Sequence, residues 1–140
     1  MKKPFLLACL TGSLLIAGYY AYPFALRAVF TLKGTVRLTP DLAERAARPN
    51  IMLFLVAMNE SGVPVAVKKI IDPVFPLDFQ MSAPDIIMPD ILTRKVFLEA
   101  HINAHGELGR PRKGDLTGSL KGPVFIFSKR HDLVIDASAE

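Results

Sequence analysis

The longest stretch without a charged side chain runs from Pro4 to Leu26 and reads PFLLACLTGSLLIAGYYAYPFAL. About 20 apolar residues in a helix are enough to cross the hydrocarbon core of a bilayer, which is about 30 Å thick. We therefore predict a transmembrane helix over residues 1–27. The rest of the 140-residue chain is long enough for one domain with a real hydrophobic core.

Residues at the two ends of this stretch indicate its orientation. Lys2 and Lys3 precede it, and lysines next to a membrane helix favour the cytoplasmic side. Tyr19, Tyr20 and Tyr22 lie toward its other end, and tyrosine rings favour the membrane interface. We expect these five side chains at the two interfaces of a bacterial inner membrane that the chain crosses once. The following domain is expected in the periplasm.

A cleaved signal peptide is the competing interpretation of the same stretch. Residues 17–22 read AGYYAY, and bulky tyrosines stand where a small-residue cleavage site is needed. The length and flanks of the stretch favour an uncleaved anchor. Cys9 is the single cysteine of the chain and lies inside the stretch, so the exported domain has neither an intrachain disulfide nor a cysteine-based metal site.

Beyond the anchor, the hydrophobic period changes from that of a helix to that of a strand. In Lys95–His105, KVFLEAHINAH, apolar and polar residues alternate, with Phe97 as the apolar exception on the outer face. Such alternation is typical of a half-buried antiparallel strand. Phe75–Ser82 alternates in the same way, and Pro76 favours an edge or first position because proline has no N–H for a ladder.

Five further segments bring the predicted strand count to about seven. IMLFLVAM from Ile51 is apolar on both faces and indicates a central strand. The other four segments are GTVRLT, VPVAVKKII, PVFIF and LVIDA. Short strands separated by turn residues predict an all-β fold, an antiparallel β-sandwich preceded by the membrane helix.

One short helix is predicted at TPDLAERAA, with Thr39 as its cap and Pro40 at its first position. Residues 28–33 are predicted to form a short linker, and residues 34–137 the exported domain. SGVP at 61–64, HGELG at 105–109 and KRHD at 129–132 are predicted turns.

The sequence gives little support to catalysis or to nucleic-acid binding. It contains no nucleophile elbow, zinc-protease helix or phosphate-binding loop, and we predict no catalytic residue, metal site or cofactor. A net charge of +4 does not by itself indicate nucleic acid. The alternative hypothesis is an exported copper carrier or sensor that uses His101 and several methionines. His101 and His105 share a strand face, but about 13 Å of strand separates them, too far to chelate one ion together.

The order of the short motifs resembles one known family. GTVRLTPDLAERA, SGVPVAVKKI, FPLDFQMSAPDIIMP and GDLTG occur in that order. They resemble the C-terminal immunoglobulin-like domain of the cytochrome c-type biogenesis protein CcmI, also called CycH. The matching residues are Gly34, Val36, Leu38, Pro40, Leu42, Ala43, Arg45, Pro64, Val65, Ala66, Val67, Leu77, Phe79, Met81, Met88, Pro89, Gly114, Asp115, Leu116 and Gly118.

This resemblance implies an Ig-like sandwich outside the inner membrane. It also implies a non-enzymatic scaffold or assembly role in attaching haem to c-type cytochromes, with the haem lyase complex or an apocytochrome as partner. In the family, a tetratricopeptide-repeat region grips the apocytochrome. This sequence shows no such repeats, so that binding activity is not carried over.

The most polar segment of the domain is GELGRPRKGDLTG, residues 106–118. By the resemblance, residues 110–118 form the connection that leaves the long strand, with Gly106 and Gly109 free to adopt positive φ. One interpretation is a solvated connection. The other is a contact for an acidic partner or for lipid headgroups, made by Arg110, Arg112, Lys113 and Asp115.

Overall fold

A single long helix precedes the β-structure of the protein. The computed structural model describes residues 2–127 and 129–140. Helix α1 covers Lys2–Val29, and Leu26 is its one buried residue within the described part of the chain. At 1.5 Å per residue, these 28 residues span about 42 Å. Among the described residues, α1 is the one helix long and apolar enough to cross a membrane.

Strand β1, Thr31–Leu38, begins almost immediately after α1. Leu26 and Phe30 are one helical turn apart and both belong to the hydrophobic core of the domain. The stretch 28–33, predicted as a linker, therefore contains the last residues of α1, the buried Phe30 and the first residues of β1. The division into an anchor of residues 1–27 and a domain of residues 34–137 stays a prediction.

The remaining elements are short and follow one another with compact connections. Helix α2 covers Pro40–Ala46, and two 3-10 turns cover Ala83–Asp85 and Pro89–Ile91. The strands are β2 Met52–Met58, β3 Pro64–Ile71, β4 Leu77–Ser82, β5 Lys95–Asn103, β6 Leu116–Ser119, β7 Val124–Phe125, β8 His131–Ile135 and β9 Ala137–Ser138. Seven of the nine strands found in the described residues have four residues or more.

Two sheets pack against each other. The smaller has the order β4-β1-β8, and the larger has the order β3-β2-β5-β6-β9, with β7 also paired to β5. All pairs are antiparallel except β1 with β8. The predicted all-β sandwich after an apolar helix is confirmed. The parallel β1–β8 pair joins strands far apart in the sequence, so no tight turn has to connect them.

The alternation predicted for the long strand is confirmed in β5. Val96, Leu98, Ala100 and Ile102 are buried, whereas Phe97 on the opposite face is half-buried. Strand β2 lies between β3 and β5 and is buried along most of its length, as its continuous apolar sequence predicts. Strand β4 is an edge strand that starts directly after Pro76.

Three local predictions differ from the structure. Residues 116–118, predicted as part of a connection, belong to strand β6, because β5 offers them a hydrogen-bonding partner that no local pattern reveals. The predicted strand PVFIF pairs only at Val124–Phe125. Thr39 stands at the N-cap of α2, but its side chain makes no capping hydrogen bond, and its hydroxyl is buried with no partner among the described residues.

A polar contact ties the strands of the smaller sheet on its outer face. The carboxylate of Asp78 accepts hydrogen bonds of 2.7 Å from the Thr35 hydroxyl and from Arg130. The Thr35 hydrogen bond, followed by the charge of Arg130, holds the pKa of Asp78 below its ordinary value. Because this pKa is lowered on folding, the contact is present at neutral pH and is lost only as the pH falls through that lowered value.

Gly118 in β6 lies directly against the backbone of β8 in the other sheet. A Cβ at this position would stand 2.2 Å from the Val134 carbonyl oxygen and 2.7 Å from the Ile135 Cα, both in β8. Just beyond β8, the Asp136 amide donates to the Thr117 carbonyl, and β9 then pairs with β6 in the larger sheet. The chain therefore changes sheets at Asp136, and glycine at 118 leaves room for the crossing.

We expect Gly118→Ala to lower the free energy of unfolding by about 2–3 kcal/mol, because β8 backbone must move to admit the methyl group. Chemical denaturation of the full chain in mild detergent, followed by the β-sheet circular dichroism signal, measures this change. Gly109→Ala is the matched control, since its Cβ meets nothing within 4 Å and its φ is not positive. Equal stability of the two variants would contradict the close approach of β6 and β8.

Candidate functional site

The predicted basic loop lies at the end of the sandwich that faces away from α1. Strand β5 starts at Lys95, which lines a cleft together with Tyr22 of α1. Its nine residues extend about 27 Å to Asn103. We call the region reached there, formed by residues 38–51, 71–77 and 103–115, the distal end.

Asp115 is buried beneath the loop at the distal end and holds it in place by hydrogen bonds. Its side chain is only 12 % exposed, and its Oδ2 accepts a 2.7 Å hydrogen bond from the Arg112 amide. His105 Nε2 lies 3.0 Å from the same oxygen, and the Glu107 amide donates to His105 Nδ1. Since Nδ1 accepts, the proton of the neutral ring is on Nε2 and faces Asp115. The structure therefore does not present Asp115 as the surface contact that was predicted.

Asn103 completes this internal support. It is 6 % exposed, its Oδ1 accepts from the Gly106 amide at 2.9 Å, and its Nδ2 donates to the Glu107 carbonyl at 3.0 Å. Gly106 has φ +74°, as predicted, whereas Gly109 does not adopt a positive φ. The sequence pattern identified the glycine turn but missed Asn103, which was read only as an outward-facing strand residue.

The basic side chains of the loop are exposed. Arg112 forms an ion pair with Glu107. Arg110 and Lys113 are exposed and have no ion-pair or hydrogen-bond partner on the described part of the chain. Their distance from α1 far exceeds the screening length of about 8 Å at physiological salt. A membrane spanned by α1 would lie well beyond this length from the loop, which favours the acidic-partner interpretation over the lipid-headgroup interpretation.

Two neighbouring grooves flank the segment that follows α2. One is mainly apolar, with a volume of about 500 Å³, and is lined by Ala43, Ala47, Val74 and Phe75 among others. The other, of about 440 Å³, is lined by Arg45, Arg112, Lys113 and the His105–Asp115 pair. Arg48 and Ile51 line both grooves, so the two form one continuous surface.

This continuous surface is positively charged. Its cations are Arg45, Arg48, Arg112 and Lys113, whereas its acids are Asp72 and the buried Asp115. Arg45 donates to the Ser138 hydroxyl at 2.8 Å, which holds it against β9. The chemistry available here is binding of an acidic segment that carries an apolar side chain.

The predicted interface residues lie on α1. Lys2 and Lys3 occupy its first turn, and Tyr19, Tyr20 and Tyr22 lie about 25–30 Å along its axis. All five side chains are exposed. The rings of Tyr19 and Tyr20 meet edge to face with their centroids 5.7 Å apart.

The two histidines considered in the copper hypothesis each face a carboxylate. His101 Nε2 lies 3.1 Å from a Glu99 carboxylate oxygen, and His105 faces Asp115. Across residues 2–127 and 129–140, no group of three or more histidine, cysteine or acidic side chains is placed to hold a metal ion. The Asp85 carboxylate accepts a 2.8 Å hydrogen bond from the Ser82 amide and lies 3.8 Å from the Lys68 ammonium.

Comparison with known proteins places these features in a family. The Ig-like domain of cytochrome c-type biogenesis protein H matches residues 32–136, which is 105 of the 140 residues. The chain belongs to this family. The match confirms the resemblance seen in the ordered motifs, and it covers both the basic loop and the apolar groove.

Two further proteins are similar to the chain. An uncharacterized protein of Aquifex aeolicus (strain VF5) is 35% identical over 89 residues, which cover 62% of this chain and 59% of that relative. An alternative pilotin from the type II secretion system of Vibrio cholerae has a TM-score of 0.54 at 14% identity. That alignment covers 79% of this chain and 97% of the pilotin, and it shows the fold alone.

Asp115→Ala is expected to destabilise the domain by about 2 kcal/mol, because it leaves the Arg112 amide and the His105 ring N–H without an acceptor. Hydrogen–deuterium exchange should show faster exchange of the Arg112 amide. Asp132→Ala is the control, since Asp132 is an exposed carboxylate on β8 with no partner among the described residues. Unchanged exchange at Arg112 in the Asp115 variant would show that this carboxylate does not hold the loop.

Proposed function

We propose that the protein is a membrane-anchored, non-enzymatic assembly factor in c-type cytochrome biogenesis. The observation that carries this proposal is the family match over residues 32–136. The apolar helix α1, which is long enough to span a bilayer, supports an anchor. The domain acts by contact, as a scaffold for components of the haem-attachment machinery or for an apocytochrome.

The anchor sets the side of the membrane on which the scaffold works. Lys2 and Lys3 favour a cytoplasmic start for α1, so the domain lies in the periplasm of a bacterium. Haem attachment in this family takes place on the same side. A domain that starts directly after the helix stays close to membrane-bound partners, because no flexible spacer separates Val29 from β1.

The distal end is the surface that meets the partner. The apolar groove accepts a side chain, and Arg48 and Lys113 on its basic side attract carboxylates. Asp115, Asn103 and His105 are occupied by hydrogen bonds that shape the loop, which suits a fixed binding surface. We therefore propose a partner segment that is acidic and carries an exposed apolar residue.

A reporter fused after Glu140 is expected to be active in the periplasm, and the full chain should remain in the membrane during alkaline carbonate extraction. An α1-deleted form measured in parallel controls for peripheral attachment. Release of the full chain as a shortened soluble protein would show that the helix is a cleaved signal.

Loss of the gene product is expected to reduce covalently haem-stained c-type cytochromes without lowering synthesis of their polypeptides. Arg48→Glu with Lys113→Glu should cause much of the same loss, because it reverses the charge along the groove. The matched control is Arg37→Glu with Lys69→Glu, which makes an equal charge change at exposed strand positions that line neither groove.

Mild-detergent affinity capture from the same strains tests the proposed contact directly. The wild-type chain and the control variant are expected to recover haem-attachment components or an apocytochrome, and the groove variant is not. Normal haem staining in the deletion strain would overturn the role in cytochrome biogenesis. Equal capture by the groove and control variants would move the contact away from the distal end.

A further inference from the structure

The segment around Ile126 lies at the junction between α1 and the domain. Its carbonyl accepts a 2.6 Å hydrogen bond from the amide of Thr31, the first residue of β1. Its own amide donates to the Arg94 carbonyl at 3.0 Å, and its side chain is fully buried. The residues on either side of Ile126 are therefore held at the level where α1 ends.

Those two neighbours are large, apolar and exposed. Phe125 is 47 % exposed and Phe127 is 58 % exposed, and their ring centroids are 5.8 Å apart. Ile87, Met88 and Ile91 are also exposed, in or between the two 3-10 turns that contact α1. We call these five residues the rim. A soluble surface seldom carries so many adjacent large apolar side chains unless another phase or partner covers them.

Cations flank the Phe125 part of the rim, whereas the exposed Asp90 lies in the sequence between Met88 and Ile91. Lys95 Nζ lies 5.1 Å from the centroid of the Phe125 ring, and Arg94, Lys121 and Lys129 are exposed nearby in the sequence around the rim. A cleft of about 470 Å³ separates α1 from the domain at this level, lined by Tyr22, Arg94, Lys95 and Phe125, with Glu60 as its one acid. Aromatic rings flanked by lysine and arginine are typical of surfaces that lie at a membrane interface.

We propose that the rim lies in the outer interface of the bilayer that α1 spans. Phe125 and Phe127 enter the boundary between headgroups and acyl chains, and Arg94 and Lys95 bind phospholipid phosphates in the cleft beside Tyr22. This inference rests on the anchoring part of the proposed function.

The length and attachment of α1 favour lipid over another protein as the occupant. The helix spans about 42 Å, which matches a bilayer with its headgroup regions at about 40–45 Å. If Lys2 lies at one headgroup layer, Val29 lies at the other. Just beyond Val29, the Thr31 amide donates a hydrogen bond to the Ile126 carbonyl. The rim is thus continuous with the membrane surface of the anchor.

Single tryptophans test this placement, because the chain contains none. Phe127→Trp places a probe on the rim, Leu14→Trp places one in the middle of α1, and Val74→Trp places one at the distal end. All three native side chains are more than half exposed, so each substitution should leave the fold intact. The full chain is reconstituted into vesicles of phosphatidylcholine and phosphatidylglycerol, with and without brominated acyl chains.

Brominated lipid is expected to quench most of the emission of the probes at positions 14 and 127 and to leave the probe at position 74 unchanged. Quenching at 14 without quenching at 127 would overturn the rim proposal and leave the anchor intact. Quenching at neither position would overturn both. A blue-shifted but unquenched probe at position 127 would show that a second copy of the chain covers the rim.

The cations are tested in the Phe127→Trp background. Arg94→Gln with Lys95→Gln should reduce quenching at position 127 in vesicles that contain phosphatidylglycerol, because two phosphate-binding groups are lost. Arg110→Gln with Lys113→Gln, at the distal end, is the matched control and should change nothing. Equal quenching in the two double variants would overturn the assignment of Arg94 and Lys95 to lipid phosphates.

Discussion

The burial of Leu26 and Phe30 on either side of the end of α1 fixes how the helix meets the domain. Both side chains pack into the core of the sandwich, so the last turn of the helix is part of the domain. A flexible linker would let the domain rotate and present any face to the bilayer. With this packing, one end of the sandwich always lies beside the helix, and the grooves lie at the other.

The two ends of the sandwich consequently carry different surfaces. Near the helix, exposed rings and aliphatic side chains stand among lysines and arginines, as in Phe125 and Lys95. At the distal end, the cations border an apolar groove. Hydrogen bonds with Asp115 and Asn103 hold the loop that carries Arg112 and Lys113 in place. We therefore propose lipid contact for the basic residues near the helix and contact with a protein partner for those at the distal end.

The sequence alone predicted features that depend on local patterns. The alternation in β5 and the continuous apolar run of β2 are visible in one segment each, and both strands were identified. Strand β6 and the burial of Asp115 were missed, because they exist only through pairing with β5 and contact with His105. Phe125 was placed in a strand, but only the bond from Thr31 to Ile126 reveals that it lies beside the membrane helix.

The position of β8 has a consequence for the order in which the domain folds. Strand β1 follows α1 directly, yet its neighbour on one side is β8, almost 100 residues later in the sequence. The Ala139 amide also donates a hydrogen bond to the Asp115 carbonyl, and the Gly114 amide donates one to the Ala139 carbonyl. Residues 131–139 therefore complete both sheets and the basic loop. Long-range pairing of this kind forms late and slowly. Strand β1 must therefore stay without its second neighbour until residues 131–139 are available, and its exposed edge is open to other binding partners during that interval.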